Sequence, residues 1–355
     1  MMPKRLKFLV GYLKDKYLAP SDRPPPSLLL RGDMGAGKSW VLNQIFLDLE
    51  QNSDTTSLVP VRVPFQLTAT NLVVNISKVL EKAKRSSIMG GKLNHADAQK
   101  KKFLLLIEGV DRLYNPPSAR ELSVPRRAIG SGASFITQVQ HARELRAFLI
   151  ENSKNVSVIA TSNHDIRFIE DPDLPFFNFF NLIEVKPLSS QESLDYVASQ
   201  LKGNPTADSL FALLVRLYGH VLIEIADGSI ALLNLFVGGL FEISSRLGKG
   251  GVKKDAVEHF LALYFSNITP YVELTIQSLS FTERLLVDEL TRAPTQFSSK
   301  DIDPLEINLS KTLSNLGAKL VIERVGEARP AAYRFRKESV RSWLRYHRRV
   351  DLGNQ

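Results

Sequence analysis

The ten residues RGDMGAGKSW (Arg31 to Trp40) restrict what this chain can fold into more than any other stretch. Gly32 is followed by Asp33, Met34, Gly35 and Ala36 and then by Gly37, Lys38 and Ser39, which satisfies the spacing G-x-x-x-x-G-K-[ST]. The chemistry needs this order. Backbone N–H groups surround a phosphate only if the backbone approaches closely and turns through positive φ, so the loop needs glycine and alanine. The lysine then places a point charge on the β- and γ-phosphates, and the serine hydroxyl is positioned to ligate Mg²⁺. The flanks agree with this reading: PSLLLR (Pro26 to Arg31) reads as a short buried strand entering the loop, and SWVLNQIFLDLEQN (Ser39 to Asn52) as an amphipathic helix leaving it. A helix that begins at the loop aims its N-terminus at the anion, and Trp40 belongs to its first turn. Gly32 to Trp40 are therefore the candidate ATP-binding residues, with Ser39 also a candidate metal ligand.

A phosphate loop needs a carboxylate at the end of a neighbouring apolar strand to hold Mg²⁺. FLLLIEGVD supplies Glu108 directly after Phe103 to Ile107, with Asp111 three residues later. Another apolar run, VSVIATSN (Val156 to Asn163), ends in polar residues and reads as a further strand. Strands alternating with helices up to Pro187 predict a parallel α/β sheet. SLVPVRVPF (Ser57 to Phe65) reads as a broken strand because of its prolines, and Tyr114 to Ser134 as a turn-rich basic insertion. Beyond Pro187 the pattern turns all-helical, passes a GKGG linker (Gly248 to Gly251), and ends in helix, helix, strand, tight connection, strand and helix. Helices followed by a two-stranded ribbon describe a winged helix-turn-helix.

The expected fold class is therefore α/β: a parallel-sheet P-loop NTPase core, then an all-helical lid and a C-terminal winged helix. The expected boundaries are 1–187 for the core with its N-terminal helix, 188–265 for the lid and 266–355 for the winged helix. A length of 355 residues suits two or three domains. The chain has no cysteine, which excludes a disulfide framework and thiolate metal sites and suits a reducing compartment. The opening MMPKRLKFLVGYLKDKY lacks a continuous apolar run and reads as a helix, not a signal peptide. The apolar stretch Ser229 to Ser245 is interrupted by Asn234, Gly238, Gly239 and Glu242 and reads as core, not membrane span. A cytoplasmic location without membrane contact is expected. Net charge is +9, and from Lys311 onward eleven Lys and Arg face four Asp and Glu, which points to a polyanion partner.

These motifs in this order resemble AAA+ and STAND ATPases, including the origin-recognition and initiator branch of AAA+. AAA+ chains usually end the acid strand in Asp-Glu, whereas Glu108-Gly109 with Asp111 further on is more similar to the STAND pattern. The resemblance implies Glu108 as the magnesium acid and Asp111 as the residue that orients the attacking water. It implies Asn163, or Thr161 or Ser162 by a small register shift, as the sensor of the γ-phosphate. It also implies Arg167 as a finger acting on a neighbouring subunit, and His220 as a nucleotide contact where the AAA+ sensor arginine is missing. The implied activity is an ATP-driven switch with slow hydrolysis to ADP and phosphate, assembling with itself or a partner protein and binding double-stranded DNA through the basic C-terminal region. The alternative is an ATP-holding assembly module with little hydrolysis, its winged helix used for protein contact.

Overall fold

A computed structural model of the chain describes residues 3–17, 25–52, 58–63, 72–89, 102–110, 131–163, 169, 171–219, 221–247, 254–292, 296–298, 302, 308–319, 321–326 and 331–353. The chain divides into two compact units that join in sequence at Pro187 and Leu188. The first holds α1 (Lys4–Tyr17), β1 (Leu28–Arg31), α2 (Lys38–Gln51), β2 (Leu58–Val63), α3 (Leu72–Met89), β3 (Lys102–Ile107), α4 (Ser131–Glu151), β4 (Val156–Ser162) and β5 (Asn181–Glu184). Its five strands form one sheet in the order β2-β3-β4-β1-β5, and every neighbouring pair is parallel.

A parallel strand covered by helices on both faces must be apolar throughout. The inner strands obey this: every residue of β4 is buried, as are Phe103 to Ile107 of β3 and Leu28 to Leu30 of β1. Helix α2 contributes Val41, Leu42, Ile45 and Leu49 from one face. Pro60 does not break the second strand, and Pro64 lies outside the described residues. Leu58–Val63 is continuous, with Pro60 opposite Leu104, because β2 pairs only with β3 among the described strands. A residue without an N–H is tolerated at such an edge. Phe176, which opens the run FFNFF (Phe176 to Phe180), is fully buried in the core, with its ring centroid 5.6 Å from Phe179 and 5.3 Å from Phe180. Helix α4 starts at Ser131, inside the stretch read as an insertion, and residues 114–130 of that stretch lie outside the described residues.

The second unit holds α5 (Ser190–Leu201), α6 (Pro205–Tyr218), α7 (Val221–Glu224), α8 (Ile230–Leu247), α9 (Lys254–Gln277), α10 (Phe281–Leu290), β6 (Phe297–Ser298), α11 (Leu309–Ala318), β7 (Ile322–Val325), β8 (Ala332–Phe335) and α12 (Glu338–Gly353). Helix α8 is long and apolar enough to cross a membrane by length and composition. In the structure it carries the centre of an aromatic core, where the Phe236 ring lies 4.8 Å from Phe260, 5.4 Å from Tyr264 and 6.3 Å from Phe211. Helix α9 runs without interruption through residues 265 and 266. The wing is an antiparallel sheet of three strands in the order β6-β8-β7, where the sequence predicts two. Two residues are too few for β6 to show an alternating pattern, and Phe297 joins by stacking on Tyr333.

A capping box starts α10: Ser280 and Glu283 satisfy each other's backbone N–H groups. Burial of Glu283 opposes its ionisation, but the Lys319 ammonium at 2.6 Å and the bonds from Ser280 outweigh it and hold the carboxyl below its ordinary value. Asp227 is the opposite case. Its backbone sits at φ 52°, and its carboxylate accepts hydrogen bonds from the Ser339 N–H, at 3.1 Å, and from the Ser339 hydroxyl. Those bonds place a carboxylate at the N-terminus of α12, where it offsets the helix dipole. Part of Asp227 stays exposed, yet its carboxylate lies among protein atoms, and burial pushes it up to about 6 against the Ser339 bonds and the charge of Lys337. A carboxyl raised in the folded state binds its proton more tightly there than in the unfolded chain. Its stabilisation is complete below the unfolded value of about 4 and is lost as pH rises through about 6. Asp227→Asn removes this dependence. We expect its stability relative to the parent to improve by roughly 1–3 kcal/mol between pH 4 and pH 7, read from urea melts across that range. Parallel profiles would disprove it.

Candidate functional site

The loop after β1 is built by one close contact. A Cβ on Gly32 would lie 2.1 Å from the Val185 carbonyl oxygen, so no other residue fits there without moving backbone. The contact follows from sheet order: β1 pairs with β5 up to Glu184, and the Val185 N–H continues the ladder to the Arg31 carbonyl at 2.6 Å. Gly35 and Gly37 then take φ of 85° and 102°, which turns the loop into the first residue of α2. No acidic residue stands in the first turn of α2, so its N-terminal field is left for an anion. Met34 projects at the loop tip, 54% exposed, Ala36 is buried, and Trp40 is half-buried in the first turn.

Lys38 is buried, and its ammonium is met by oxygens. Its Nζ donates to the carbonyls of Gly32 at 2.7 Å and Asp33 at 2.8 Å, and to Asn163 Oδ1 at 3.3 Å. Asn163 comes from the end of β4, which lies beside β1 and runs parallel to it. Ser39 and Glu108 form the second pair: the Ser39 hydroxyl donates to Glu108 Oε2 at 3.1 Å, and both residues are exposed. Two hard oxygens at that separation suit adjacent positions around Mg²⁺, where bonds of about 2.1 Å at right angles put neighbouring ligands about 3 Å apart. Among the described residues no group of three or more His, Cys, Asp or Glu could hold a metal. A cation here would take its remaining ligands from phosphate and water, as Mg²⁺ commonly does.

The structure thus brings together Lys38, Ser39, Glu108 and Asn163 with the loop Gly32 to Gly37. Asp111, Arg167 and His220 lie outside the described residues. Two neighbours of the site were not singled out from sequence for the contacts they make. Thr161 accepts a hydrogen bond from the Gly109 N–H at 2.9 Å. Arg5 of α1 donates to the carbonyls of Lys186 and Pro187, the latter at 2.9 Å, just beyond the Gly32 contact. Arg5 stands in the run KRLK, which does not distinguish it from its neighbours.

The basic C-terminal residues do not all face outward. Arg341, one of the eleven basic residues counted from Lys311 onward, is buried, with its guanidinium 3.5 Å from Glu338 and 6.0 Å from the centre of the Phe335 ring. Arg345 donates to the Thr291 carbonyl at 2.6 Å, and Arg348 lies 3.7 Å from Asp288. Trp343 and Tyr346 supply contacts of α12 with α9, while Arg345 stays exposed and Arg348 half-buried beside the end of α10. The exposed polar surface is instead Ser310, Lys311, Ser314 and Asn315 on α11, with Arg324 on β7 and Arg334 on β8, the last paired to Glu323 at 2.5 Å.

Compared with known proteins, the sequence matches no family model and no curated protein. Among solved structures the chain is similar to the Aeropyrum pernix ORC2 protein in its ADPNP–ADP complexes, with a TM-score of 0.54 and 11% identity over 98% of this chain and 96% of that one. It is also similar to the Aeropyrum pernix ORC1 protein in complex with DNA, with a TM-score of 0.47 and 14% identity over 97% and 92% of the two chains. A third similarity is to domain III of the Thermotoga maritima replication initiation protein DnaA, with a TM-score of 0.41 and 16% identity over 76% and 95%. The likeness to ORC2 shows a shared fold, a parallel α/β core with a phosphate-loop turn followed by a helical region and a winged helix.

Two substitutions separate the parts of the site. Lys38→Ala should abolish ATP binding or weaken it by at least about a hundredfold, because the loop loses the cation that meets the phosphates. Glu108→Gln should keep ATP binding in EDTA but lose most of any gain from Mg²⁺. Calorimetric titration with and without Mg²⁺ reads both, and unchanged affinity in Lys38→Ala would refute the assignment of the loop.

Proposed function

We propose that the chain is an ATP-binding molecular switch that couples nucleotide state to assembly and to DNA binding through its C-terminal winged helix. The observation that carries this reading is the Lys38 ammonium, gathered by two loop carbonyls and Asn163 at the mouth of a glycine-turned helix N-terminus. Phosphate oxygens bear full charge and bind an ammonium more strongly than carbonyls do, so a nucleotide would draw Lys38 from this cage. The fold shared with ORC2, whose structure holds ADPNP and ADP, supports the same ligand.

In this reading residues 1–187 are the ATPase core, 188–265 the lid and 266–355 the winged helix, and the protein acts in the cytoplasm. Gly32 to Trp40 bind ATP, Ser39 and Glu108 hold Mg²⁺, and Asn163 senses the γ-phosphate. Asp111 orients water, Arg167 reaches a neighbouring subunit, and His220 contacts the nucleotide. ATP promotes assembly with further copies or a partner protein, and slow hydrolysis to ADP and phosphate resets the state. Size measured by light scattering with ATP, ADP and no nucleotide tests this, with a larger species expected in ATP alone. Identical sizes in all three would overturn the switch.

Double-stranded DNA is the proposed polyanion, held by α11 and the wing. Ser310, Ser314 and Asn315 suit backbone contact and weak base readout, and Lys311, Arg324 and Arg334 supply charge. Replacing those three with Glu should weaken binding to every duplex alike and flatten the log–log salt slope by roughly 0.9 for each phosphate no longer neutralised, with ATP binding unchanged. Equal DNA affinity of variant and parent at low salt would favour a second reading, an ATP-holding module whose winged helix binds protein. Two observations favour that reading: glycine stands at 109 where a second acid would polarise water, and Arg341, Arg345 and Arg348 are engaged inside the unit.

A further inference from the structure

We infer that Thr161 is a positioning residue for Glu108, acting on the backbone of the acid turn and not on the nucleotide. The inference rests on the metal side of the proposed ATP site. Strands β3 and β4 pair in register up to Ile107 opposite Ala160, and there the described ladder ends. The next residues are Glu108 on one strand and Thr161 on the other. The Thr161 hydroxyl oxygen takes the Gly109 N–H at 2.9 Å, so a side chain continues the pairing one step beyond the last backbone partners.

The Gly109 nitrogen belongs to the peptide unit that contains the Glu108 carbonyl. Fixing that N–H fixes the peptide plane, and with it ψ of Glu108 and the direction in which its Cβ leaves the chain. Gly109 itself sits at φ 69° and, having no side chain, contributes none to hold that conformation. Glu108 needs such an anchor. Its side chain is exposed, with three rotatable bonds to order before the carboxylate meets Ser39. A shorter acid would lose less freedom in reaching a metal.

The hydroxyl at 161 is not required by packing. Thr161 is 3% exposed, and its neighbours in β4, Val158, Ile159 and Ala160, are apolar and buried. Valine has nearly the same shape and an equal preference for strands, so a purely structural position would accept it. What valine cannot do is accept the Gly109 N–H, which would then lack its side-chain partner. Asn163, two residues on, makes the contact with Lys38. The strand end therefore carries two separate tasks, with Thr161 on the acid and Asn163 on the loop.

The test is ATP binding by the full chain, titrated in EDTA and in Mg²⁺, for the parent, Thr161→Val, Thr161→Ser, Glu108→Gln and the double variant Thr161→Val/Glu108→Gln. Thr161→Val should match the parent in EDTA and lose roughly fivefold to tenfold of its affinity in Mg²⁺. Thr161→Ser, which keeps the hydroxyl, should regain the parent's response. The double variant should be no worse than Glu108→Gln alone, because both act through one carboxylate. If Thr161→Val does not fold, Thr161→Ala is used in its place and must show the same selective loss. A Thr161→Val chain with the parent's Mg²⁺ response overturns the inference and leaves the ATP site standing. Equal losses with and without Mg²⁺ also overturn it, since Thr161 would then serve the nucleotide. A parent that binds ATP with no gain from Mg²⁺ overturns the metal side of the site and the inference together.

Discussion

An ammonium group taken out of water must be surrounded by oxygen, and at Lys38 that requirement ties three segments to one point. The carbonyls come from the turn after β1, the lysine from the start of α2, and the amide oxygen from the end of β4. They meet because β1 lies between β4 and β5 with all three running the same way, so their C-terminal ends share one edge of the sheet. Open parallel sheets place their ligands at that edge. The packing of Gly32 on the Val185 carbonyl belongs to the same arrangement, since β5 must come close for the turn to form where it does.

Much of this was legible in the sequence, and for identifiable reasons. The loop spacing is a backbone requirement written directly in residue types. Glu108 follows the uninterrupted apolar run Phe103 to Ile107, and Asn163 follows a strand centred on the apolar Val158 to Ala160, the pattern that buried parallel strands give. What the sequence hides is what depends on who pairs with whom. Pro60 reads as a strand breaker until β2 is known to pair only with β3 among the described strands. The bond from Gly109 to Thr161 depends on the register between β3 and β4, and the Arg5 contact on where α1 lies against the chain leaving β5. Strand β6 is too short to leave any pattern.

Charge was the least faithful guide. Eleven basic residues in the final segment suggest one broad cationic face, but several of them are engaged by groups of their own unit. Helix α12 buries Arg341 against Glu338 and Phe335, and it ties Arg345, still exposed, to the Thr291 carbonyl and Arg348 to Asp288. A second tie comes from the Trp343 indole N–H, which donates to the Thr269 hydroxyl at 3.0 Å while Tyr346 stacks on Phe265. The counted charge describes the chain's long-range field, and only the exposed fraction describes what it can grip.

Pro60 also matters beyond the folded monomer. A strand with a bare edge offers a row of donors and acceptors to any other chain, which is how sheets come to grow between molecules. Strand β2, which pairs only with β3 among the described strands, carries at Pro60 a residue with no donor, and Arg62 two residues later adds a charge to it. The side of the sheet farthest from the nucleotide loop is thereby a poor template for strand addition. An apolar replacement of Pro60 could leave the fold intact and still make the protein prone to aggregate as it is synthesised.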